Sequence, residues 1–373
     1  MSIKPTLDLL VYIFNNWKSI KTHFTKKEFL NEDVSFLQEV YDKEITAGKE
    51  IPYSIISRFY TGNVSETLDQ VQKIKLTMER GKFQLKVPNN TIQSFQAKAY
   101  EAFKNKMSND GSIVRLSRLN INVNNEILEL KMQHAKYSDQ VKSNLTLDWA
   151  AHGIKGFSTL RNYLTDKYGN KLPPLSCGLL ANTIGISCIL YFKKGKHYVP
   201  YLPKRSKYKP LIHSTKKSLA LFEGGIHVTA SGALDFPQDF KQGESLSFCE
   251  FILEDMYREI YEEVGITKKY IQELVPLAFT RELLRAGKPQ IFFAGLLIDS
   301  VNEEELLKFR TQSILRQKKN KREKIEIENK SLVIYDMEDL LRESSIHGLT
   351  IEAIGNLFFS QEYIADKNKL LSS

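Results

Sequence analysis

The stretch from Glu250 to Ile266, EFILEDMYREIYEEVGI, constrains this chain more than any other. Phe248, Ile252, Met256, Ile260 and Val264 recur every four residues, the spacing of one buried stripe on a helix. Ser247 with Glu250 forms a capping box at its start, and Gly265 marks its end. At about 100° per residue, Glu259, Glu262 and Glu263 fall within an arc of roughly 100°. Two of the three stand in the last turn, where the helix dipole disfavours negative charge, and Glu259 and Glu263 are a like-charged pair one turn apart. The arc partly overlaps the apolar stripe, so the carboxylates should face inward or into a cleft. A divalent cation with a preference for oxygen, Mg2+ or Mn2+, would offset the crowding of charge. Arg258 is a second source of compensation, although the helical projection turns it somewhat away from the cluster. The opposing reading is a solvated acidic helix face, which is what clustered glutamates on a helix usually are.

The order of the residues decides between these readings. Arg258-Glu-Ile-Tyr-Glu-Glu-Val-Gly-Ile266 resembles the core of the Nudix box, R-E-U-x-E-E-x-G-U with U aliphatic, and Glu250 stands at the box's distance before the arginine. The opening glycine of the box would fall at position 244, which is Glu; Gly243 stands one residue early. Ala230-Ser-Gly-Ala233 occupies the place of the usual P-G-G lead-in. The pattern is that of a divergent Nudix subgroup. Leu180 to Ser187 resembles the first core strand of the family, Pro203-Lys-Arg-Ser206 its R-S segment, and Arg281 to Gln290 a loop between later strands. Lys136 to Asn144 and Asn182 to Gly185 are similar to segments of Nudix enzymes that split UDP-glucose and UDP-galactose.

The resemblance implies an α/β (α+β) fold, an α/β/α sandwich with a mixed sheet, over residues 177–373. It also implies hydrolysis of a nucleoside diphosphate linked to another moiety, with a nucleotide sugar first and ADP-ribose or a dinucleotide second. Carried over from the box, Glu262 and Glu263 are expected to hold Mg2+ (or Mn2+). Glu259 is expected as a third ligand or as the base that takes a proton from water. Arg258 would orient these carboxylates, with Glu250 as its structural partner. Arg205 and Arg281 are expected to bind substrate. Two other readings stay open: a Nudix-fold nucleotide sensor or interaction protein without turnover, and hydrolysis at an RNA cap or 5′ end.

The rest of the chain is less specific. Residues 1–110 are expected to be mostly helical: a first helix around Leu7 to Phe14, one opened by Thr25 with Glu28, one capped by Ser65, and one from Thr91 to Lys106. Residues 111–176 mix strand and helix, with a strand pair at 112–119 and 127–132 and a linker at Lys171 to Ser176. Further strands are expected at 183–192, 197–202, 226–230, 274–279, 290–298 and 332–335, with later helices at 336–342 and 351–362. The 21 Phe and 17 Tyr argue against disorder. Three cysteines without a C-x-x-C spacing indicate neither a disulfide framework nor a zinc site, and no apolar run reaches membrane-spanning length, so a cytoplasmic protein is expected. The net charge of +9 is concentrated. Residues 193–217 carry nine basic residues and no acidic one, and 316–324 are nearly as basic. Phosphate contact suits such runs, and nucleic acid is possible without being required.

Overall fold

The computed structural model describes residues 37, 39–41, 51–107, 110–124, 126–151, 153–205, 225–238, 245–320, 329–334 and 349–372. At 106, 204, 205, 245, 317–320, 329–334 and 372 it describes the backbone alone. The helices expected at Leu7 to Phe14, after Thr25 and at 336–342 lie outside these residues.

The strands in chain order are β1 (Tyr53–Arg58), β2 (Lys75–Lys82), β3 (Ser112–Ile121), β4 (Ile127–Lys136), β5 (Gly185–Lys194), β6 (His197–Arg205), β7 (Ala230–Ala233), β8 (Ser245–Leu246), β9 (Ile271–Glu282), β10 (Lys288–Leu297) and β11 (Asn329–Ile334). The helices that matter are α1 (Val64–Gln72), α2 (Asn90–Phe103), α3 (Tyr137–Val141), α4 (Leu160–Tyr168), α5 (Glu254–Val264), α6 (Glu303–Asn320) and α7 (Ile351–Ser372).

The larger sheet runs β1-β9-β10-β5-β6-β11, with β7 also on β5. The first half of β5 pairs with β7 and its second half with β6, so one strand carries two neighbours on the same edge. β10 and β5 are parallel, and the other pairs are antiparallel, which makes the sheet mixed. Along β5 the side chains alternate. Ile186, Cys188, Leu190 and Phe192 join the core with Ile252, Met256 and Ile260 of the carboxylate helix. Ile189 and Tyr191 join the core with Ala353, Leu357 and Tyr363 of α7. The period of two thus sends one strand's residues into both helical layers, giving an α/β/α sandwich with a mixed sheet.

A second sheet, β3-β4-β2-β8, lies beside the first. The two are joined through β3, where bridges link Ile113 to Asp235 and Arg115 to Thr183. Within 51–110 the helices start slightly before their expected caps: Asn63 caps α1 by accepting from the Glu66 N–H, and Asn89 caps α2 by accepting from the Ile92 N–H. Beside them stand β1 and β2, two strands for which the sequence had suggested only helices, and β1 is a strand of the large sheet. The expected linker at 171–176 is tied down on both sides. The Leu175 carbonyl accepts from Arg115 (3.1 Å) and Asn182 (3.0 Å), and the Pro173 carbonyl accepts from Arg281.

Between α3 and α4 lies a fully buried ion pair. Arg161 donates to both oxygens of Asp148 at 2.7 Å and also bonds Tyr41 Oη and the Leu283 and Leu284 carbonyls. Burial lowers the guanidinium's pKa, but the charge of Asp148 and the contacts with Asp148 and Tyr41 outweigh it, so the net shift is upward. This pair fixes the β9–β10 connection from the side of residues 137–168. Among the described residues no helix is long and apolar enough to cross a membrane.

Candidate active site on the carboxylate helix

The helix forms where its apolar period requires it. Phe248, Ile252, Met256, Ile260 and Val264 are all buried. Ser247 starts it, its hydroxyl accepting from the Glu250 N–H at 3.3 Å. The first turn, Cys249–Leu253, is wide: the Glu254 N–H bonds back to the Cys249 carbonyl. The regular helix α5 follows and stops at Gly265, which adopts the left-handed conformation (φ 78°). A side chain there would strike the Phe309 carbonyl at 2.8 Å, so glycine is required twice over. Ser313 of α6 donates to the Glu262 and Glu263 carbonyls (3.2 and 3.4 Å), covering helix-end acceptors that have no partner within the helix.

Arg258 is the hub of the site. Its guanidinium reaches four carboxylates: Asp255 at 2.7 Å, Glu259 at 2.8 Å, Glu262 at 3.0 Å and Asp235 at 3.1 Å. Burial pulls its pKa down, yet the hydrogen bond to Asp255 and the surrounding negative charges raise it overall. The expected partnership with Glu250 does not occur. The wide first turn advances the chain by fewer degrees per residue than a regular helix, which changes the face on which Glu250 emerges; Asp255, one turn before Arg258, takes that place. The helical projection also understated Arg258. Its long side chain folds back along the helix to Glu259 and Glu262.

Glu259 is the most perturbed acid of the group. Burial is the largest cause, Asp255 and Glu262 add to it, and Arg258 opposes it; the carboxyl is pushed up to about 8. Its position is set by β7. A Cβ on Gly232 would stand 2.2 Å from Glu259 Oε1, so any side chain there would displace the carboxylate from this position. The preceding residue, Ser231, donates its backbone N–H to Glu263 Oε1 at 3.1 Å. The segment Ala230-Ser-Gly-Ala233 therefore seats two of the three glutamates. Glu262 is the exposed member, with its side chain 56% accessible.

The donor chemistry of the three glutamates suits a hard divalent cation. In the arrangement described, Arg258 occupies Glu259 and Glu262 while Ser231 holds Glu263. Among the described residues no three such side chains converge at ligating distance. All three leave one helix within a turn and a half.

The other expected site residues stand elsewhere. Arg281 donates through Nε to the Gly287 carbonyl (3.0 Å) and through its terminal nitrogen to the Pro173 carbonyl, bracing the β9–β10 connection against the linker. Arg205 closes β6 opposite Asn329, and its side chain lies outside the described residues. Of the first basic run, Lys193 pairs with Asp299 and Lys194 with Glu303, both at 2.9 Å; residues 206–217 lie outside the description. Of the second run, Arg316 lies over the Tyr261 ring, 4.5 Å from its centroid.

The sequence had not singled out Asp255, Asp235, Ser231 or Gly232 as site residues. Asp255 had a signal, an acid three residues before an arginine on one helix. Asp235 had none, because a turn of the chain and the lead-in to the helix separate it from Arg258.

No family profile matches the sequence, and no curated protein matches it. Among solved structures, the chain is similar to a mutT/nudix family protein from Listeria innocua (16% identity, 50% of this chain and 97% of that one, TM-score 0.32). It is similar to a C. elegans Ap4A hydrolase (14% identity, 49% and 98%, TM-score 0.25). It is also similar to Shewanella oneidensis NrtR (11% identity, 50% and 64%, TM-score 0.28). Superpositions this loose carry no weight by themselves, and the functional reading rests on the geometry around Arg258.

Proposed function

We propose that the protein is a Nudix-type, Mg2+-dependent pyrophosphohydrolase. Its substrate would be a nucleoside diphosphate linked to another moiety, a nucleotide sugar before ADP-ribose or a dinucleotide. The observation that carries this reading is the clasp of Arg258 on Glu259 and Glu262, beside Glu263 anchored by the Ser231 N–H. A purely structural acidic face would point its carboxylates to water. Here one of them is buried deeply enough to hold a proton near neutrality, and the strand has a glycine where the carboxylate sits.

Glu262 and Glu263 would hold the divalent cation, with Glu259 either a third ligand or the base; the cation would supply neutralisation of pyrophosphate oxygens and acidification of water. Arg258 limits the rotamers of Glu259 and Glu262 through charge-assisted hydrogen bonds. Ser231 fixes the orientation of Glu263. In the base role, Glu259 would take the proton of the attacking water.

The test is a hydrolysis screen of the full chain with Mg2+ over nucleotide sugars, ADP-ribose, dinucleotides, NAD, coenzyme A and capped RNA. Release of a nucleoside monophosphate from one of the nucleotide-linked substrates is expected. Nucleotide binding detected by calorimetry without any product after long incubation with metal would instead establish a sensor, and product from capped RNA alone an RNA-directed enzyme.

A further inference from the structure

A cavity of about 380 Å3 lies at the end of the second sheet, away from the carboxylate helix. It opens between the end of β2, helix α2, the end of β4 and helix α3. Lys82, Lys136 and Lys142 line it, together with His134, Asp139 and Phe83. Volumes from about 300 Å3 upward suit small-molecule ligands.

Among the described residues no carboxylate forms an ion pair with these three lysines, although the charge of Lys142 is felt by Asp139. Lys136 Nζ reaches the Ser112 hydroxyl (3.2 Å) and the Asp110 carbonyl (3.4 Å), both neutral. Lys142 Nζ sits 4.8 Å from the Tyr100 ring centroid. The nearby carboxylates are engaged by uncharged donors: Asp139 accepts from the Lys136 N–H at 3.0 Å, and Asp110 from the Ser138 N–H and hydroxyl at 2.8 and 3.0 Å. Burial, then Lys82 and Lys136, lowers the pKa of His134. The ring's Nε2 is buried and has no hydrogen-bond partner.

We propose that this cavity binds a small organic phosphate, its phosphate group held by Lys82, Lys136 and Lys142 and its organic body against Phe83. Three lysines around one space match a dianion better than a single carboxylate, and lysine is a common point-charge ligand of phosphate. The site is independent of the carboxylate helix in its ligands but not in its surroundings. The His134 ring lies 4.4 Å from the Phe236 ring, and Phe236 follows Asp235, which holds Arg258. An occupied cavity would therefore stiffen the segment that carries one wall of the Arg258 clasp.

The experiment is titration calorimetry of the full chain in chelator, so that binding is read without turnover. The probes are glucose 6-phosphate, uridine monophosphate, inorganic phosphate, gluconate and glucose. Binding of at least one organic phosphate is expected, with gluconate and glucose at least about tenfold weaker. Lys82→Glu/Lys142→Glu should weaken that binding by about tenfold or more, while Glu262→Gln/Glu263→Gln should leave it within about twofold. No binding of any phosphate overturns the proposal, as does binding that survives the lysine variant or is lost in the glutamine variant. Acetylation footprinting of the unmodified chain gives a second reading: saturating probe should protect Lys82 and Lys142, and unchanged labelling of both counts against the site. Failure of the hydrolysis screen above leaves these outcomes untouched.

Discussion

The Cβ that Gly232 lacks would lie 2.2 Å from Oε1 of Glu259, closer than any real Cβ contact. Strand β7 and the carboxylate helix are thus fitted to each other at the acid whose carboxyl is pushed up to about 8. Gly232→Ala should push the Glu259 side chain off its seat at little cost to the fold, because the obstructing atoms are the end of a flexible side chain. Turnover should fall by about tenfold to a hundredfold, the loss expected when a positioning contact is disturbed. Steady-state kinetics beside a thermal melt would check this; unchanged kcat with a lowered Tm would assign Gly232 a packing role only.

Glu262→Gln and Glu263→Gln should each lower kcat by about a hundredfold or more, with smaller effects on KM, if the two side chains hold the cation. Direct Mg2+ or Mn2+ titration should show weaker binding in both. Full activity in both variants would reject the assignment.

The pH dependence of stability follows from Glu259. Its folded carboxyl titrates at about 8, above the ordinary carboxylate value near 4.5. The folded state therefore binds this proton more tightly than the unfolded chain. The contribution is fully present below pH 4.5 and is lost as pH rises towards 8. In chelator the protein should lose on the order of 3 kcal/mol across this window from this one group. Glu259→Gln should remove that dependence and raise Tm at pH 8 without metal, while abolishing most activity. Urea melts at pH 5, 6.5 and 8 would measure it; an identical slope in the variant would refute the origin.

Arg258→Met should be costly, since it leaves Asp255, Glu259, Glu262 and Asp235 facing one another without a cation. A loss of about 2–4 kcal/mol is expected, less than for a fully enclosed pair because the arginine is partly exposed. Adding Mg2+ should recover part of it in denaturant melts. If metal gives the variant no more stability than it gives the unmodified protein, the carboxylates are not the metal's ligands.

Arg161→Met tests the other buried cation. Asp148 would be left as an uncompensated charge, and the Leu283 and Leu284 carbonyls would lose donors. A loss of about 3–5 kcal/mol is expected by equilibrium unfolding. Arg161→Met/Asp148→Leu should recover much of it, because two apolar groups leave no orphaned charge.

What was legible in the sequence follows from the range of the interactions involved. The carboxylate helix was readable because its apolar stripe repeats within one element, from Phe248 to Val264. The β3–β4 hairpin and the strand pair β5–β6 were readable for the same local reason. β1 and β2 were not. Tyr53–Arg58 buries residues on both faces and shows no clean alternation, and Lys75–Lys82 has only Leu76 and Met78 as an apolar signal. The clasp on Arg258 was half readable: Glu259 and Glu262 share its helix, whereas Asp235 arrives through the pairing of Ile113 with Asp235, a contact between two sheets. Ser231 and Gly232 stood out as an unusual lead-in, but their effect on Glu263 and Glu259 needs the strand's distance from the helix.

The pairing of β1 with β9 joins residues 53–58 to residues 278–282, across most of the chain. Such a pairing forms late, because a long loop must close before its hydrogen bonds can reward the closure. Until it forms, β9 presents a bare edge of unpaired N–H and C=O groups next to the apolar strand β10. On a ribosome the first strand must wait for the ninth to emerge. A fragment that begins after residue 110 would keep every glutamate of the carboxylate helix and yet expose that edge permanently, so it should aggregate where the full chain does not.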